Sequence, residues 1–190
     1  MNENKRARLI EILLDRSFKL GDFTLSSGRK SQYYVDCRTS TLHPEGLALI
    51  LELMLPILRE WDAQAAGGLT LGADPLAAAV ALGTATLPPD RRIAGYIVRK
   101  EQKDHGRGRQ VEGCLEAGMK AAVLEDVITT GESALRAVKA VREAGATVVG
   151  VLAVVDREEG GREAIEREGL PVRALFTASE LKRAAMVKKG

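Results

Sequence analysis

Two adjacent carboxylates, Glu125 and Asp126, follow an apolar run at residues 121–124 and precede a hydroxyl- and glycine-rich turn at residues 129–133. Such a turn before a helix offers free backbone N–H groups and side-chain hydroxyls to a phosphate. Carboxylates beside a phosphate site make electrostatic sense when they bind hydroxyl groups or a metal ion. The pattern therefore predicts a ligand that carries a phosphate together with a sugar or Mg²⁺.

A simpler interpretation of the same residues stays open at this point. Thr130 could cap the following helix, while Glu125 and Asp126 form a solvated strand end. Two other phosphate-binding motifs are excluded, because the chain contains neither Gly-x-x-x-x-Gly-Lys-Ser/Thr nor Gly-x-Gly-x-x-Gly.

The elements around the turn predict where it lies in the fold. Residues 121–124 are too few for a helix and apolar on both faces, which is typical of a strand inside a parallel sheet. Apolar residues then recur at helical spacing up to Gly145, and residues 148–155 form a second apolar strand. Strand, helix and strand make a right-handed βαβ unit, whose ligand lies beyond the carboxyl ends of its strands.

The segment Val-Leu-Glu-Asp-Val-Ile-Thr-Thr-Gly-Glu-Ser resembles the phosphoribosyl diphosphate signature of the type I phosphoribosyltransferases. The resemblance implies a Rossmann-like α/β fold with a mostly parallel central sheet flanked by helices and a small N-terminal hood. It also implies that the two carboxylates bind the ribose 2- and 3-hydroxyls and that the turn binds the 5-phosphate. The residues assigned to the ribose phosphate in this way are Glu125, Asp126, Val127, Ile128, Thr129, Thr130, Gly131, Glu132 and Ser133.

Composition limits the class of protein. The 190 residues suit one domain with a full core, and a net charge of +2 is too small for a nucleic-acid-binding domain. Cys37 and Cys114 are far apart and have no zinc-ligand spacing, which indicates reduced thiols, buried or half-buried, in a cytoplasm. The first predicted helix, residues 3–16, is interrupted by charges, so we expect neither a signal peptide nor a membrane span.

Periodicity and turn residues predict the remaining elements. Further helices are expected at residues 43–59, 75–85, 158–168 and 178–185. Further strands are expected at residues 23–25, 32–37, 65–72, 93–98 and 172–177. All belong to one phosphoribosyltransferase domain, residues 1–190, with the hood at residues 1–40 plus the C-terminal segment and the core at about 41–175.

Residues 23–37 predict a hairpin with a polar, cationic tip, which is either a lid or an edge hairpin with a solvated turn. Its pattern Phe-x-Leu-x-Ser-Gly-x-x-Ser-x-Tyr resembles the hood of the orotate phosphoribosyltransferases. That resemblance implies that Tyr34 lies near the orotate ring and that Arg29 and Lys30 lie near anionic groups. Ser26 stands where some members have a lysine, and only this position assigns it to orotate.

Gly72, at the end of the predicted strand at residues 65–72, and the following Ala73 and Asp74 could bind a phosphate at the next helix start, and the resemblance assigns them to the diphosphate. In the family the corresponding loop contacts pyrophosphate and often contains a non-proline cis peptide. The alternative is that Asp74 caps the helix and Pro75 is its first residue.

Residues 99–109 predict a long glycine-containing loop with five cations and two acidic residues. Its composition suits either an idle solvated loop or a flap that closes over an anion. Arg-Lys-x-x-Lys-Asp-His-Gly resembles the flap of the orotate phosphoribosyltransferases, which implies that Arg99, Lys100, Lys103 and His105 bind the diphosphate. Lys103, Glu125 and Asp126 are the predicted catalytic residues, and the flap is expected to serve the neighbouring subunit of a homodimer.

Arg157 follows the second strand of the βαβ unit and is either a surface charge or a partner for a planar carboxylate. The resemblance implies that Arg157, Tyr34 and Thr129 bind orotate. It further implies an orotate phosphoribosyltransferase of pyrimidine synthesis that uses Mg²⁺, held mainly through substrate oxygens and water and in addition by Asp126. Neither nucleic acid nor membrane is an expected partner. Two alternative functions are a purine phosphoribosyltransferase and a regulatory protein that binds phosphoribosyl diphosphate and nucleic acid.

Overall fold

The structure is a computed structural model that describes residues 2–24, 28, 30–101 and 110–189. Its strands are β1 (Phe18–Thr24), β2 (Lys30–Val35), β3 (Ala65–Leu69), β4 (Ala94–Val98), β5 (Val111–Gly113), β6 (Lys120–Ile128), β7 (Thr147–Asp156) and β8 (Val172–Thr177). Its helices are α1 (Asn2–Arg16), α2 (Arg38–Thr41), α3 (Pro44–Glu60), α4 (Asp74–Thr84), α5 (Glu132–Glu143), α6 (Gly161–Glu166) and α7 (Ala178–Lys189). Among the described helices, none is long and apolar enough to cross a membrane.

In the part of the chain that the structure describes, six strands form the central sheet in the order β5-β4-β3-β6-β7-β8. All neighbours are parallel except β4 and β5, which are antiparallel. This confirms the predicted α/β fold and the predicted pairing of the two strands of the βαβ unit. Along the chain, β4 is added on one side of β3 and β6 on the other. The carboxyl ends of β3 and β6 therefore form a switch point, where open α/β sheets bind their ligands.

The central strands are apolar on both faces because each face is covered by helices. Ala122 and Leu124 belong to the core on the side of α1, α3 and α4, whereas Ala121 and Val123 belong to the core on the side of α5. Such continuous apolar runs are expected of strands buried in a parallel sheet. The rigid sheet then fixes the side chains at its carboxyl edge.

The N-terminal hairpin of β1 and β2 forms a separate two-stranded sheet, with Phe18 opposite Val35. It confirms the predicted hairpin, but β1 begins at Phe18 instead of residue 23. The turn residues Gly21 and Asp22 had suggested that the strand starts after them. Packing of the buried Phe18 extends the strand towards the N-terminus instead. Helix α7 contacts both β1 and α1 and so connects the C-terminal segment to the hairpin.

Several predicted boundaries were wrong. Strand β6 does not end before the two carboxylates but includes them, and β3 ends at Leu69. Helix α6 is shorter than predicted, because Glu158 and Gly160 have positive φ angles of 59° and 90° that prevent an earlier helix start. Helix α7 continues to Lys189, beyond the predicted end at residue 185. Cys37 is buried as predicted, but Cys114 is exposed, because it follows the edge strand β5.

Candidate active site

A cleft of about 320 Å³ lies at the carboxyl edge of the sheet, at the switch point between β3 and β6. The hairpin closes one side of it. The described residues that line it are Tyr34, Val35, Asp36, Arg38, Leu69, Thr70, Leu71, Gly72, Lys100, Glu125, Asp126, Val127, Thr129, Ser133 and Arg157. The cleft therefore contains residues from the four predicted motifs, namely the carboxylate turn, the hairpin, the loop after β3 and the base of the flap.

A larger depression of about 590 Å³ lies beside β5, at the far edge of the sheet. Its charged lining residues are Glu112, Glu116 and Glu143. Three carboxylates repel a phosphate or diphosphate, so this depression does not suit the predicted ligand.

Glu125 is buried inside β6, with only 5% of its surface exposed, and lies opposite Ala153 of β7. Its Oε1 atom has no hydrogen-bond partner among the described residues. Burial, with a smaller contribution from the neighbouring Asp126, raises the pKa of Glu125 to about 8. Near neutral pH the side chain is therefore mainly a neutral acid, which can donate as well as accept a hydrogen bond.

Asp126 is less buried than Glu125, and its Oδ1 accepts a hydrogen bond of 2.9 Å from the backbone N–H of Val127. Burial raises its pKa, and the hydrogen bond from Val127 opposes that shift. A side chain at Gly72 would collide with the carboxylate of Asp126. Glycine at this position thus lets the loop after β3 approach β6 and brings its backbone beside the carboxylate.

The turn between β6 and α5 contributes hydroxyls and a helix N-terminus. Gly131 is the N-cap residue, with φ of 82°, and a Cβ there would lie 2.8 Å from the backbone oxygen of Gly161. Thr129 and Ser133 line the cleft, whereas Thr130 is exposed. Because α5 has no side-chain cap, the interpretation of Thr130 as its cap was wrong. The hydroxyls at the cleft and the first amides of α5 remain available to an anion.

The loop after β3 contains a cis peptide bond between Thr70 and Leu71, as the resemblance implied. Ala73 is the N-cap of α4, so the alternative in which Asp74 caps that helix was wrong. Asp74 instead accepts a hydrogen bond of 2.7 Å from the hydroxyl of Thr70. Of the three predicted diphosphate residues, Gly72 lines the cleft, while Ala73 and Asp74 are not among its described lining residues.

Tyr34 and Arg157 also line the cleft, and they differ in exposure. Tyr34 is 40% exposed, whereas Arg157 is 7% exposed and is a charged residue at the end of β7. Nη2 of Arg157 lies 2.7 Å from Oε1 of Glu159, an ion pair whose geometry does not align as a hydrogen bond. Nε of Arg157 has no hydrogen-bond partner among the described residues. A buried, incompletely satisfied guanidinium fits a site that receives a carboxylate.

The base of the flap is fixed to the sheet. The N–H of Arg99 donates to the backbone oxygen of Gln110 at 2.9 Å, and Arg136 donates to the backbone oxygen of Lys100 at 2.6 Å. Lys100 lines the cleft, while the side chain of Arg99 pairs with Glu112 at 3.6 Å. The predicted residues Lys103, His105, Ser26 and Arg29 lie outside the described residues. The neighbouring Lys30 donates to Thr24 at 2.9 Å within the hairpin.

The sequence matches no protein-family model. It is 53% identical over 180 residues to the orotate phosphoribosyltransferase of Aquifex aeolicus, and the alignment covers 93% of this chain and 97% of that relative. The chain belongs to the orotate phosphoribosyltransferase family.

Solved structures of the family share the fold. The Mycobacterium tuberculosis orotate phosphoribosyltransferase in complex with Fe(III) dicitrate is 47% identical, with a TM-score of 0.81 and coverage of 93% of this chain and 98% of that chain. The same enzyme in complex with 5-phospho-alpha-D-ribosyl 1-diphosphate is 40% identical, with a TM-score of 0.74 and coverage of 94% and 92%.

Sequence reasoning missed two charged residues of this orotate phosphoribosyltransferase cleft, Asp36 and Arg38. Arg38 donates to Asp36 through Nε at 2.9 Å and through Nη2 at 2.7 Å, and this pairing lowers the pKa of Asp36. Both residues line the cleft on the hairpin side, near Asp126. The sequence did contain a clue to these two residues, because they follow Tyr34 closely along the chain. Residues near the end of a strand that already contributes one cleft residue are expected at the same edge.

Among the described residues, no group of three or more histidine, cysteine, aspartate or glutamate side chains is arranged to hold a metal ion. The cleft of this family member does contain the adjacent carboxylates Glu125 and Asp126. These two carboxylates are the acidic pair that the described cleft offers to a cation, whose remaining ligands would come from water and bound substrate.

Proposed function

We propose that this cleft transfers ribose 5-phosphate from 5-phosphoribosyl 1-diphosphate to orotate, giving orotidine 5′-phosphate and pyrophosphate, a step of UMP synthesis. The proposal rests on one observation: the adjacent carboxylates Glu125 and Asp126, a hydroxyl-lined helix start and the buried cation Arg157 line one cleft. Each group matches one part of the two substrates, namely the ribose, the 5-phosphate and the carboxylate of the base. The sequence identity to orotate phosphoribosyltransferases supports the same reaction.

The ribose 5-phosphate occupies the floor of the cleft. Glu125 and Asp126 bind the two ribose hydroxyls, and the neutral form of Glu125 can both donate and accept there. Thr129 and Ser133 bind the 5-phosphate together with the first backbone amides of α5. The intervening turn residues hold these groups in place. This part of the substrate stays fixed while its C1 atom changes partners.

The diphosphate lies between the loop after β3 and the flap. Gly72 and Lys100 line that side of the cleft, and Arg99, Lys103 and His105 belong to the same flap motif. As the C1–O bond breaks, negative charge grows on the leaving oxygen, so cations at this end stabilise the transition state. When bound, Mg²⁺ supplies further positive charge to the diphosphate, held mainly through substrate oxygens and water with Asp126 as its protein ligand.

Orotate lies between Tyr34, Thr129 and Arg157. The guanidinium of Arg157 matches a planar carboxylate, and the ring of Tyr34 covers the base. The base nitrogen attacks C1 directly, so the reaction needs no covalent intermediate with the protein. Neither Cys37 nor Cys114 lines the cleft in the described structure. Closure of the flap excludes water, which limits hydrolysis of the electron-poor C1 centre.

The enzyme acts as a cytoplasmic homodimer in which each flap serves the neighbouring site. The proposal follows the resemblance of the flap motif; in the described structure Arg99 does not line the cleft, and its side chain pairs with Glu112 at 3.6 Å. A mixture of two inactive variants tests it. If the flap acts across subunits, Lys103→Ala and Asp126→Asn chains should regain activity when they are unfolded and refolded together. Activity that does not rise above that of either variant would place the flap over its own site.

Base specificity tests the reaction itself. The purified protein is incubated with 5-phosphoribosyl 1-diphosphate, Mg²⁺ and one base at a time, and the products are separated by chromatography. We expect a nucleotide from orotate and none from uracil, adenine or hypoxanthine. A nucleotide from hypoxanthine but not from orotate would show instead a purine phosphoribosyltransferase.

A further inference from the structure

Arg157 is a buried charge that the cleft must hold in one orientation. Its side chain is only 7% exposed, and its Nε atom has no hydrogen-bond partner among the described residues. Its backbone N–H donates to the backbone oxygen of Ile128 at 2.9 Å, which fixes the main chain at the end of β7. That bond fixes only the main chain, and in the side chain Nη2 pairs with Oε1 of Glu159 at 2.7 Å. The planar guanidinium needs a further contact across its face to keep its remaining donors directed at a ligand.

Tyr33 contacts Arg157 at two points. The guanidinium carbon of Arg157 lies 4.9 Å from the centroid of the Tyr33 ring, within the range of a cation–π interaction. The hydroxyl of Tyr33 also donates to the backbone oxygen of Arg157 at 3.2 Å. One side chain thus holds both the charged end and the main chain of the same arginine.

The hairpin fixes Tyr33 in turn. Successive residues of a strand point to opposite faces, so Tyr34 lines the cleft while Tyr33, which is 6% exposed, lies in the core. The Tyr33 ring stacks on Phe18 of β1 at a centroid distance of 5.5 Å, and Nζ of Lys182 in α7 lies 4.1 Å from the same ring. Tyr33 therefore couples the hairpin to Arg157 at the base end of the cleft.

We propose that Tyr33 is a positioning residue that sets the orientation of Arg157 and, through it, the affinity of the cleft for the carboxylate of the base. This inference rests on the proposed function, because it assigns the carboxylate of orotate to Arg157. It places the effect of Tyr33 on one substrate only. The residues assigned to the diphosphate and the ribose are Gly72, Lys100 and the β6 carboxylates, whereas the aromatic and cation contacts of the Tyr33 ring are with Phe18, Arg157 and Lys182.

The test compares two substitutions of Tyr33 by steady-state kinetics, with the KM for orotate and the KM for 5-phosphoribosyl 1-diphosphate measured separately. Tyr33→Met keeps a large apolar side chain but removes both the ring and the hydroxyl, so the KM for orotate should rise about tenfold. Tyr33→Phe keeps the ring, so that KM should rise no more than about threefold. The KM for the diphosphate substrate should stay within about twofold in both variants.

A matched control separates positioning from loss of packing. Phe18→Leu loosens the same aromatic pair but leaves the ring beside Arg157 in place. We expect a lower melting temperature and both KM values within about twofold of the wild type. The same selective rise in the KM for orotate as in Tyr33→Met would overturn the inference, because general loosening of the hairpin would then explain it.

A double-mutant cycle gives the sharpest outcome. In an Arg157→Ala background, Tyr33→Met should change the KM for orotate by less than about twofold, because its effect passes through the missing guanidinium. An equal rise in both backgrounds would refute the role of Tyr33, while the wild-type enzyme would still turn over orotate. If the wild type produced no nucleotide from orotate, the proposed function and this inference would both fail.

Discussion

Replacing Glu125 by glutamine should change how the stability of the protein depends on pH. Glu125 is 5% exposed, its Oε1 has no hydrogen-bond partner among the described residues, and Asp126 is its neighbour. Ionising such a group in the folded protein is unfavourable. Glutamine keeps the shape of the side chain but cannot ionise. The comparison therefore isolates the cost of one buried negative charge.

The magnitude follows from the raised pKa. Burial raises the pKa of Glu125 from an ordinary value of 4.5 to about 8, so the folded protein holds a proton that the unfolded chain has lost. The contribution of Glu125 to the free energy of unfolding is therefore complete below about pH 4.5 and is lost as the pH rises to about 8. Within this window the free energy of unfolding falls by about 1.4 kcal/mol per pH unit. Rearrangement around the ionised side chain reduces this effect, so the wild-type protein should lose about 2 kcal/mol of unfolding free energy between about pH 6 and pH 8.

Urea unfolding of the ligand-free protein measures this effect at fixed protein concentration, in buffers with EDTA from about pH 5 to pH 8.5. Relative to the wild type, Glu125→Gln should become more stable as the pH rises, by about 2 kcal/mol between pH 6 and pH 8. Glu116→Gln removes an exposed carboxylate outside the cleft and should follow the wild-type profile. Parallel profiles for Glu125→Gln and the wild type would refute the argument, because Glu125 would then be ionised at little cost.

Four further results are expected. Lys103→Ala should lower kcat by about 100-fold or more with the melting temperature unchanged, and an unchanged kcat would remove Lys103 from the mechanism. Gly72→Ala should raise the KM for 5-phosphoribosyl 1-diphosphate about tenfold, since its Cβ displaces the carboxylate of Asp126; equal KM values would show that the loop can move aside. Gly131→Ala should lower the free energy of unfolding in urea by about 1 to 3 kcal/mol, because φ is 82° and the backbone of Gly161 is close; no loss would contradict that strain. Iodoacetamide should label the exposed Cys114 in the native protein and the buried Cys37 only after denaturation, as mass spectrometry can check; equal labelling of both native thiols would be inconsistent with the fold.

The sequence predicted the central βαβ unit and its ligand edge because both depend on local patterns. The apolar runs of β6 and β7 are strong signals of buried strands, and Gly145 ends α5 with φ of 83° as its position after the helical stripe indicated. The motif residues Glu125, Thr129 and Ser133 then lie together because they occupy one strand end and one turn.

Features that depend on tertiary contacts escaped prediction. A strand is not expected to continue through two carboxylates, yet β6 continues to Ile128 because pairing with β7 persists as far as Asp156. Strand β5 has only three residues and forms because β4 offers it an edge. The side chains that support Arg157, Tyr33 from β2 and Glu159 from beyond β7, are brought to it by the fold, and no local pattern indicates their contacts.

The ratio of pyrophosphate released to orotate consumed tests the proposed transfer most directly. Both are measured in one reaction of the wild-type enzyme with 5-phosphoribosyl 1-diphosphate and Mg²⁺, with and without orotate. Direct transfer in a cleft that excludes water predicts equal amounts of pyrophosphate and orotidine 5′-phosphate, and almost no pyrophosphate when orotate is absent. Pyrophosphate release that does not depend on orotate, with no nucleotide formed, would contradict it and indicate a hydrolase.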